Sequence, residues 1–377
     1  KNKMKVTGPI SRFVRLAVIT ILLKNKVLAF CGHPASLKNC FNVSSRSSES
    51  AVHLNLFPIN SRGSSSPSVR APEGFVAPVP KPLQIPDEEG QISSTLSGTA
   101  ALALRLATSA FVLGWRVDSL FYRSNDGEGD KSGKYSLKLG PFSIRDSSSV
   151  LTNCPRPTKP LILYEYESSP YCRIVREAMN LLDITYECRP CPGARTGFSD
   201  EIADLEVGRR TVPYLVDPND GPDVAVGGMF ESSTQIRYLL DVYGPPPTMF
   251  DRKALWPIEF QQFALITSTL AALVRGLPAS RPDPRARPDA IKMLPLVLWG
   301  YECSPFVRPV RERLSELCLP HQIVSCSRGS ANRDAMIKKM GRFQVPFLED
   351  PNTGIEMFES NEICSYLDAV YTVGDNK

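Results

Sequence analysis

The sequence predicts an α/β protein made of two tandem copies of one βαβ-ββα unit, at 160–244 and 295–373, with a disordered basic leader ahead of them and helical linkers around them. Three observations carry this: a gapless internal repeat, apolar runs of strand length alternating with amphipathic helical segments, and turn motifs that recur at matching places. Sliding the 377-residue chain by 135 positions sets Leu161–Ala194 over Leu296–Gly329, and 12 of these 34 positions are identical. Chance gives about two identities at ordinary amino-acid frequencies.

The identities fall in order. Tyr166-Glu167, Ser169-Pro170, Arg173, Val175-Arg176-Glu177, Leu182 and Cys191 recur as Tyr301-Glu302, Ser304-Pro305, Arg308, Val310-Arg311-Glu312, Leu317 and Cys326. Val212-Pro213-Tyr214-Leu215 is echoed by Val345-Pro346-Phe347-Leu348, each followed by Asp-Pro-Asn at 217–219 and 350–352, and Phe230-Glu231-Ser232 by Phe358-Glu359-Ser360. Each copy opens on an apolar strand (Leu161–Tyr164, Leu296–Trp299), turns at Ser-Pro, and enters a helix that carries Val175, Met179 and Leu182 on one face. A second strand near Ile184–Cys188, a helix, a strand entered by Val-Pro, the Asp-Pro-Asn turn, another strand and a closing helix from Ser232 to Tyr243 complete the unit. This order, with its right-handed parallel crossover, is that of a thioredoxin-like domain.

Around the copies the chain divides into a targeting presequence (1–68), a Pro-rich linker (69–95), a helical or irregular lead-in (96–159) and a helical linker (245–294). The linker has the composition of an extended spacer between Ala71 and Pro86. Lys253–Val274 reads as one helix. Leu96–Trp115 is apolar and nearly long enough to span a membrane, but Arg105 at its centre and its small residues favour a packing helix, so membrane contact is possible and not favoured.

The formal charge of +5 is concentrated at the N-terminus, where residues 1–48 hold nine Lys or Arg and no acid, leaving 35 basic against 39 acidic residues elsewhere. No basic run is interleaved with aromatics, so a nucleic-acid partner is not expected. With 42% hydrophobic and 22% charged residues the chain is long enough for two or three ordinary cores. The leader begins at Lys1, with Met4 a candidate start. A basic stretch runs into the short apolar segment Leu16–Leu23 and the Val27-Leu28-Ala29-Phe30 junction, then into a segment from Cys31 to about Ser68 rich in Ser and Arg and poor in acids. Signal peptide, Ala-Phe junction and transit peptide in that order resemble the bipartite presequence of algae with secondary plastids, which implies a plastid (chloroplast) destination. A mitochondrial presequence or a basic tail is the other reading.

Tyr-Glu-Tyr-Glu-Ser-Ser-Pro-Tyr-Cys-Arg, Val-Pro-Tyr-Leu-Val-Asp-Pro-Asn and Phe-Glu-Ser-Ser together resemble the N-terminal domain of glutathione S-transferases. The tandem arrangement, with Leu-Trp-Gly-Tyr-Glu-Cys-Ser-Pro-Phe opening the second copy, resembles a plastid family of transferase-like proteins in plants and algae. The resemblance implies glutathione as ligand or cosubstrate, with transferase or thiol-disulfide redox activity. It implies Ser169 and Cys172 as catalytic residues, and Tyr171, Val212, Pro213, Glu231 and Ser232 as the glutathione site. The equivalents in the second copy are Ser304, Phe306, Val345, Pro346, Glu359 and Ser360.

A thiolate at a helix N-terminus is stabilised by unpaired amides, which is why redox members of this fold place Cys first in a Cys-Pro-Tyr-Cys tetrad. Here the tetrads are Ser169-Pro170-Tyr171-Cys172 and Ser304-Pro305-Phe306-Val307, so a dithiol cycle is closed to both copies. In the family the Ser hydroxyl donates to the glutathione thiolate, the residue before the cis proline pairs with the cysteinyl main chain, and the Glu-Ser pair grips the γ-glutamyl end. The bland readings stay open: Ser232 and Ser360 as helix caps, the Val-Pro pairs as rigid strand entries, Cys172 as a small buried hydrophobe, Cys303 as incidental. Cys188-x-x-Cys191 lacks a second pair of ligands, and Cys191 recurs as Cys326, which suits packing or redox sensitivity, so no metal is expected. A full transferase adds a large helical domain that builds the electrophile pocket, and no segment here supplies it. The alternative function is a non-catalytic scaffold for protein partners.

Overall fold

The computed structural model of the chain describes residues 69–81, 89–122, 135–139, 142–194, 196–206, 208–219 and 228–373. The expected presequence, 1–68, and part of the Pro-rich linker lie outside the described residues. Helix α1 (Glu89–Leu104) comes first, followed by a three-stranded antiparallel sheet of β1 (Trp115–Tyr122), β2 (Leu137–Leu139) and β3 (Phe142–Ser148). Copy one contains β4 (Leu161–Glu165), α2 (Pro170–Leu181), β5 (Tyr186–Pro190), α3 (Gly197–Leu205), β6 (Tyr214–Val216) and α4 (Ser232–Val242). After α5 (Trp256–Glu259) and α6 (Gln261–Val274), copy two contains β7 (Leu296–Gly300), α7 (Val307–Glu316), β8 (His321–Ser325), α8 (Asn332–Met340), β9 (Phe347–Asp350), β10 (Ile355–Phe358) and α9 (Ser360–Tyr371).

Both copies are thioredoxin-like. β4 and β5 pair in parallel, as do β7 and β8, and β6 and β9 run antiparallel to the first strand of their copy. Ser169 caps α2 with Pro170 in its first turn, and Ile174, Val175, Ala178 and Met179 are buried against the sheet. The second ββ pairing is complete only in copy two, where β10 lies beside β9. In copy one it is a single bridge, Leu215 to Met229, and residues 220–227 fall outside the described ones. The repeated Asp-Pro-Asn turns are structural. Asp217 accepts the hydroxyls of Tyr238 and Tyr243, Asp350 those of Tyr366 and Tyr371, and the Asn amides hold the carbonyls of Lys159 and Leu294 ahead of each first strand.

The copies share one seven-stranded sheet, in the order β10-β9-β7-β8-β5-β4-β6. The join is antiparallel, with Glu187 opposite Gln322. These two residues are themselves equivalent under the 135-residue repeat, so a pseudo-two-fold axis passes between them. Over the same axis, Arg176 of copy one reaches Glu302 of copy two (2.8 Å), and Arg311 of copy two reaches Glu167 of copy one (2.6 Å). Arg176 also pairs with Glu165, and Arg311 with Glu302. All five side chains are buried. Burial alone would raise Glu302 and Glu167, but Arg176 and Arg311 outweigh it and hold both below the ordinary carboxylate value. At Glu165 burial wins over Arg176, and its pKa is raised.

The duplication reaches further than the sequence comparison. α1 and α6 are counterparts: Arg105 after α1 binds Glu177 of copy one, and Arg275 after α6 binds Glu312, its equivalent in copy two. Arg105 also reaches Thr267 on α6, while Arg275 reaches Ser97 on α1 (2.6 and 2.7 Å). The chain leaves each helix through matching left-handed residues, Leu106, Ala107 and Ser109 in one and Gly276, Leu277 and Ala279 in the other. These turns are why the helix expected over Leu96–Trp115 ends at Leu104. Similarly, the helix expected over Lys253–Val274 is broken at Phe260, whose ψ of 87° is not helical. Among the described residues no helix is long and apolar enough to cross a membrane. Arg105, at the centre of the segment in question, is buried inside protein. The three-stranded sheet precedes copy one, and the segment leading into it touches both copies: the Leu113 N–H donates to the Leu181 carbonyl and the Val112 N–H to that of Arg328.

Candidate functional site

In copy one the Val212–Pro213 peptide is cis, as is Val345–Pro346 in copy two. Val212 leads into β6, and the two segments that flank the expected site are tied together by Gln235. This fully buried side chain on α4 donates its amide to the carbonyls of Pro213 (2.9 Å) and Met229 (2.7 Å). Glu231 stands between Met229 and α4 with φ +67°, and Glu359 holds the same place in copy two with φ +76°. A left-handed glutamate costs on the order of 1–3 kcal/mol and persists only where its surroundings enforce it. The strain recurs at the same motif in both copies.

Ser232 and Ser360 are the first residues of α4 and α9, not their caps. The residue before each helix is the glutamate, and no side chain closes that turn. The cap reading of these serines is therefore corrected, and no side chain caps the first amides of α4. Glu231 is exposed and pairs with exposed Arg209 at 3.2 Å, whose guanidinium lies 3.8 Å from the Phe230 ring centre. Tyr171 is half exposed on the first turn of α2.

At the tetrad, Ser169 is buried, its Oγ accepts the Cys172 N–H at 3.3 Å, and its hydroxyl lies within hydrogen-bond reach of the Tyr166 and Cys172 side chains. The Cys172 side chain has no exposure, and burial, reinforced by Glu165, pushes its thiol up to about 12. Burial thus works against Cys172 as a nucleophile, the role that the resemblance implies for it. Cys303 is buried and likewise pushed up to about 12, and Cys188 is raised well above its ordinary value by burial while donating to Glu165 at 3.1 Å. Cys191 and Cys326 are raised by burial too, each with its Sγ–H toward a backbone carbonyl, so both read as core residues. Among the described residues no group of three or more His, Cys, Asp or Glu is placed to hold a metal ion.

Copy two is built differently at the same place. Its helix begins at Val307 rather than at Pro305, the Ser304 Oγ accepts the Val307 N–H at 3.3 Å, and the Ser360 hydroxyl donates to the carbonyl of Phe306 at 2.6 Å. Gly300 replaces Glu165 and Val307 replaces Cys172. A Cβ at 300 would lie 2.5 Å from a Val307 methyl, so the valine that removed the thiol also requires glycine on the neighbouring strand.

The protein-family model for the glutathione S-transferase N-terminal domain matches twice, at residues 163–247 and 298–373. The chain carries two glutathione S-transferase N-terminal domains. No curated protein and no solved structure matches it. Ser169, Val212, Pro213, Glu231 and Ser232 lie within the first of these matches, and Gln235 links the Val-Pro segment to Met229, just ahead of Glu231. Sequence comparison of the copies gave no signal for Gln235, because the equivalent in copy two is Ile363. Arg209 was equally silent, since nothing in the spacing of a loop arginine marks a contact with Phe230 and Glu231.

Proposed function

We propose that this chain is a glutathione-binding protein whose working site lies in copy one. The observation that carries the reading is Glu231: a strained, exposed carboxylate at an unclosed helix N-terminus, held to the cis-proline turn through Gln235. A carboxylate beside free amides suits a ligand end that bears both an ammonium and a carboxylate, as the γ-glutamyl end of glutathione does. The Val212 main chain then takes the cysteinyl part as an added strand, and the Ser169 hydroxyl donates to the sulfur. Because Cys172 is sealed, this geometry favours transferase-type activation of the ligand's own thiol over thiol-disulfide exchange. We assign the plastid as its compartment from the presequence, with the mitochondrion as the alternative, and no nucleic acid as partner.

A second reading, a scaffold for protein partners, has one observation in its favour. α6 has no charged residue and leaves Ile266, Leu270, Leu273 and Val274 exposed.

Calorimetric titration at millimolar glutathione tests the first reading. Binding should weaken about tenfold in Ser232→Ala and more in Glu231→Gln, tenfold being about 1.4 kcal/mol. Ser169→Ala should leave affinity close to wild type while raising the pKa of the bound thiol, followed by thiolate absorbance. Absence of heat with the wild-type protein removes the proposal and leaves the scaffold.

A further inference from the structure

The Glu359 site of copy two is in contact with the chain's own N-terminal segment. Residues 69–81 run in extended form, apart from a turn in which the Phe75 N–H donates to Pro72, and they lie against α9. Val69 is buried, and Ala71, Phe75 and Ala77 pack on the main core, with the Phe75 ring 5.2 Å from that of Tyr366. The segment then delivers its last polar groups to the site. The Lys81 N–H donates to Glu359 Oε1 at 2.8 Å, the Lys81 ammonium meets Glu362 Oε1 at 3.0 Å, and the Pro80 carbonyl accepts from Arg342 at 3.4 Å. Gln344, just before the cis Val345–Pro346 peptide, donates to the same Glu359 oxygen at 2.8 Å.

Gly98 on α1 sits so near Pro305 that an added Cβ would lie 3.0 Å from the proline Cβ, and the Ser360 hydroxyl is already given to Phe306. In copy one, by contrast, Glu231 faces an arginine that is itself about half exposed.

We propose that copy two is an internal docking site, whose resident ligand is the main-chain N–H and ammonium of Lys81 on the 69–81 segment. The occupant gives Glu359 a main-chain N–H where a γ-glutamyl ammonium would donate to Glu231, and sets its own ammonium on the adjacent Glu362, which rests on the glutathione reading above. Copy two therefore takes no glutathione while the segment is seated, and the chain binds one molecule rather than two. The hold is divided. Phe75 supplies an apolar anchor, whereas the Lys81 pair is largely exposed and screened by salt, so the polar end releases first.

Two measurements on the full-length protein test this. Hydrogen exchange read by mass spectrometry should find the Lys81 amide protected in wild type, and Glu359→Ala should speed its exchange at least tenfold while β9 and β10 stay protected. Equal exchange in the two proteins overturns the docking. Lys81→Pro deletes both donors and keeps an extended backbone between Pro80 and Pro82. Calorimetry should count one glutathione per wild-type chain and two per Lys81→Pro chain; a count of one in both overturns the exclusion of ligand by the segment. Should neither bind glutathione, the Glu-Ser reading fails, and the exchange experiment alone decides whether Glu359 holds the segment.

Discussion

Arg176→Met is expected to cost about 3–5 kcal/mol of stability, a large part of the total for a typical protein. Arg176 is the shared counter-ion of Glu165, Glu167 and Glu302 in a cage with almost no contact with water. Methionine fills much of the volume, so the loss is electrostatic: Glu165 keeps the weak donor Cys188, and Arg311 is left as the ion-pair partner of Glu167 and Glu302. Removing one partner of a buried pair costs roughly 3–5 kcal/mol because a desolvated charge is left behind, against a total of roughly 5–15 kcal/mol for a typical protein. Arg209→Met is the control, since the Arg209–Glu231 pair is exposed and worth about 1 kcal/mol or less. Urea denaturation of the two variants decides it. Equal midpoints would mean that the cage contributes no more than a surface pair.

Lowering the pH from 7 to 4 should remove about 3 kcal/mol through His321 alone. The ring is fully buried at the seam, opposite Cys188, and its Nδ1 lies 2.9 Å from the Leu319 carbonyl. Burial, with Arg311 and Arg176 adding to it, lowers its pKa from 6.5 to about 4 despite that carbonyl and Glu167. The unfolded chain therefore takes up a proton below pH 6.5 that the folded chain refuses until about pH 4. The stability is present above 6.5 and is lost as the pH falls toward 4, at 1.36 kcal/mol per unit. Glu167 and Glu302, held below their ordinary values, lose stability in the same direction at lower pH, while Glu165, raised by burial, works against it. His321→Gln isolates the contribution: its unfolding free energy should be flatter between pH 7 and 4.5 than that of wild type, and parallel curves would exclude this role.

The repeat was legible because strand 1, the Ser-Pro turn and the first helix must all pack on one sheet, which holds Tyr166, Val175 and Leu182 and their partners in register. The cis turns and the Glu-Ser pairs were legible for a similar reason, as each is a backbone event tied to a residue type. What joins the copies was not. Arg176 and Glu177 read as ordinary charges on the polar side of an amphipathic helix, and only the fused sheet turns that side into an interior. The kinship of α1 and α6 was hidden because small apolar residues pack interchangeably there, and only the arginine after each helix is specific. At the site, the resemblance implied a reactive Cys172, but desolvation depends on what lies above the residue, which no local motif encodes.

The seam through Glu187 and Gln322 also governs how the protein comes apart. Two family-sized modules on one chain would ordinarily melt as two units. Here every carboxylate–guanidinium contact that crosses the axis draws one partner from each half, and the two halves complete a single sheet. Loosening one half strips the other of a strand neighbour and a counter-ion at once. The pair should therefore absorb heat in one cooperative event, with van't Hoff and calorimetric enthalpies in agreement, and a lesion in either half should lower the melting temperature of both.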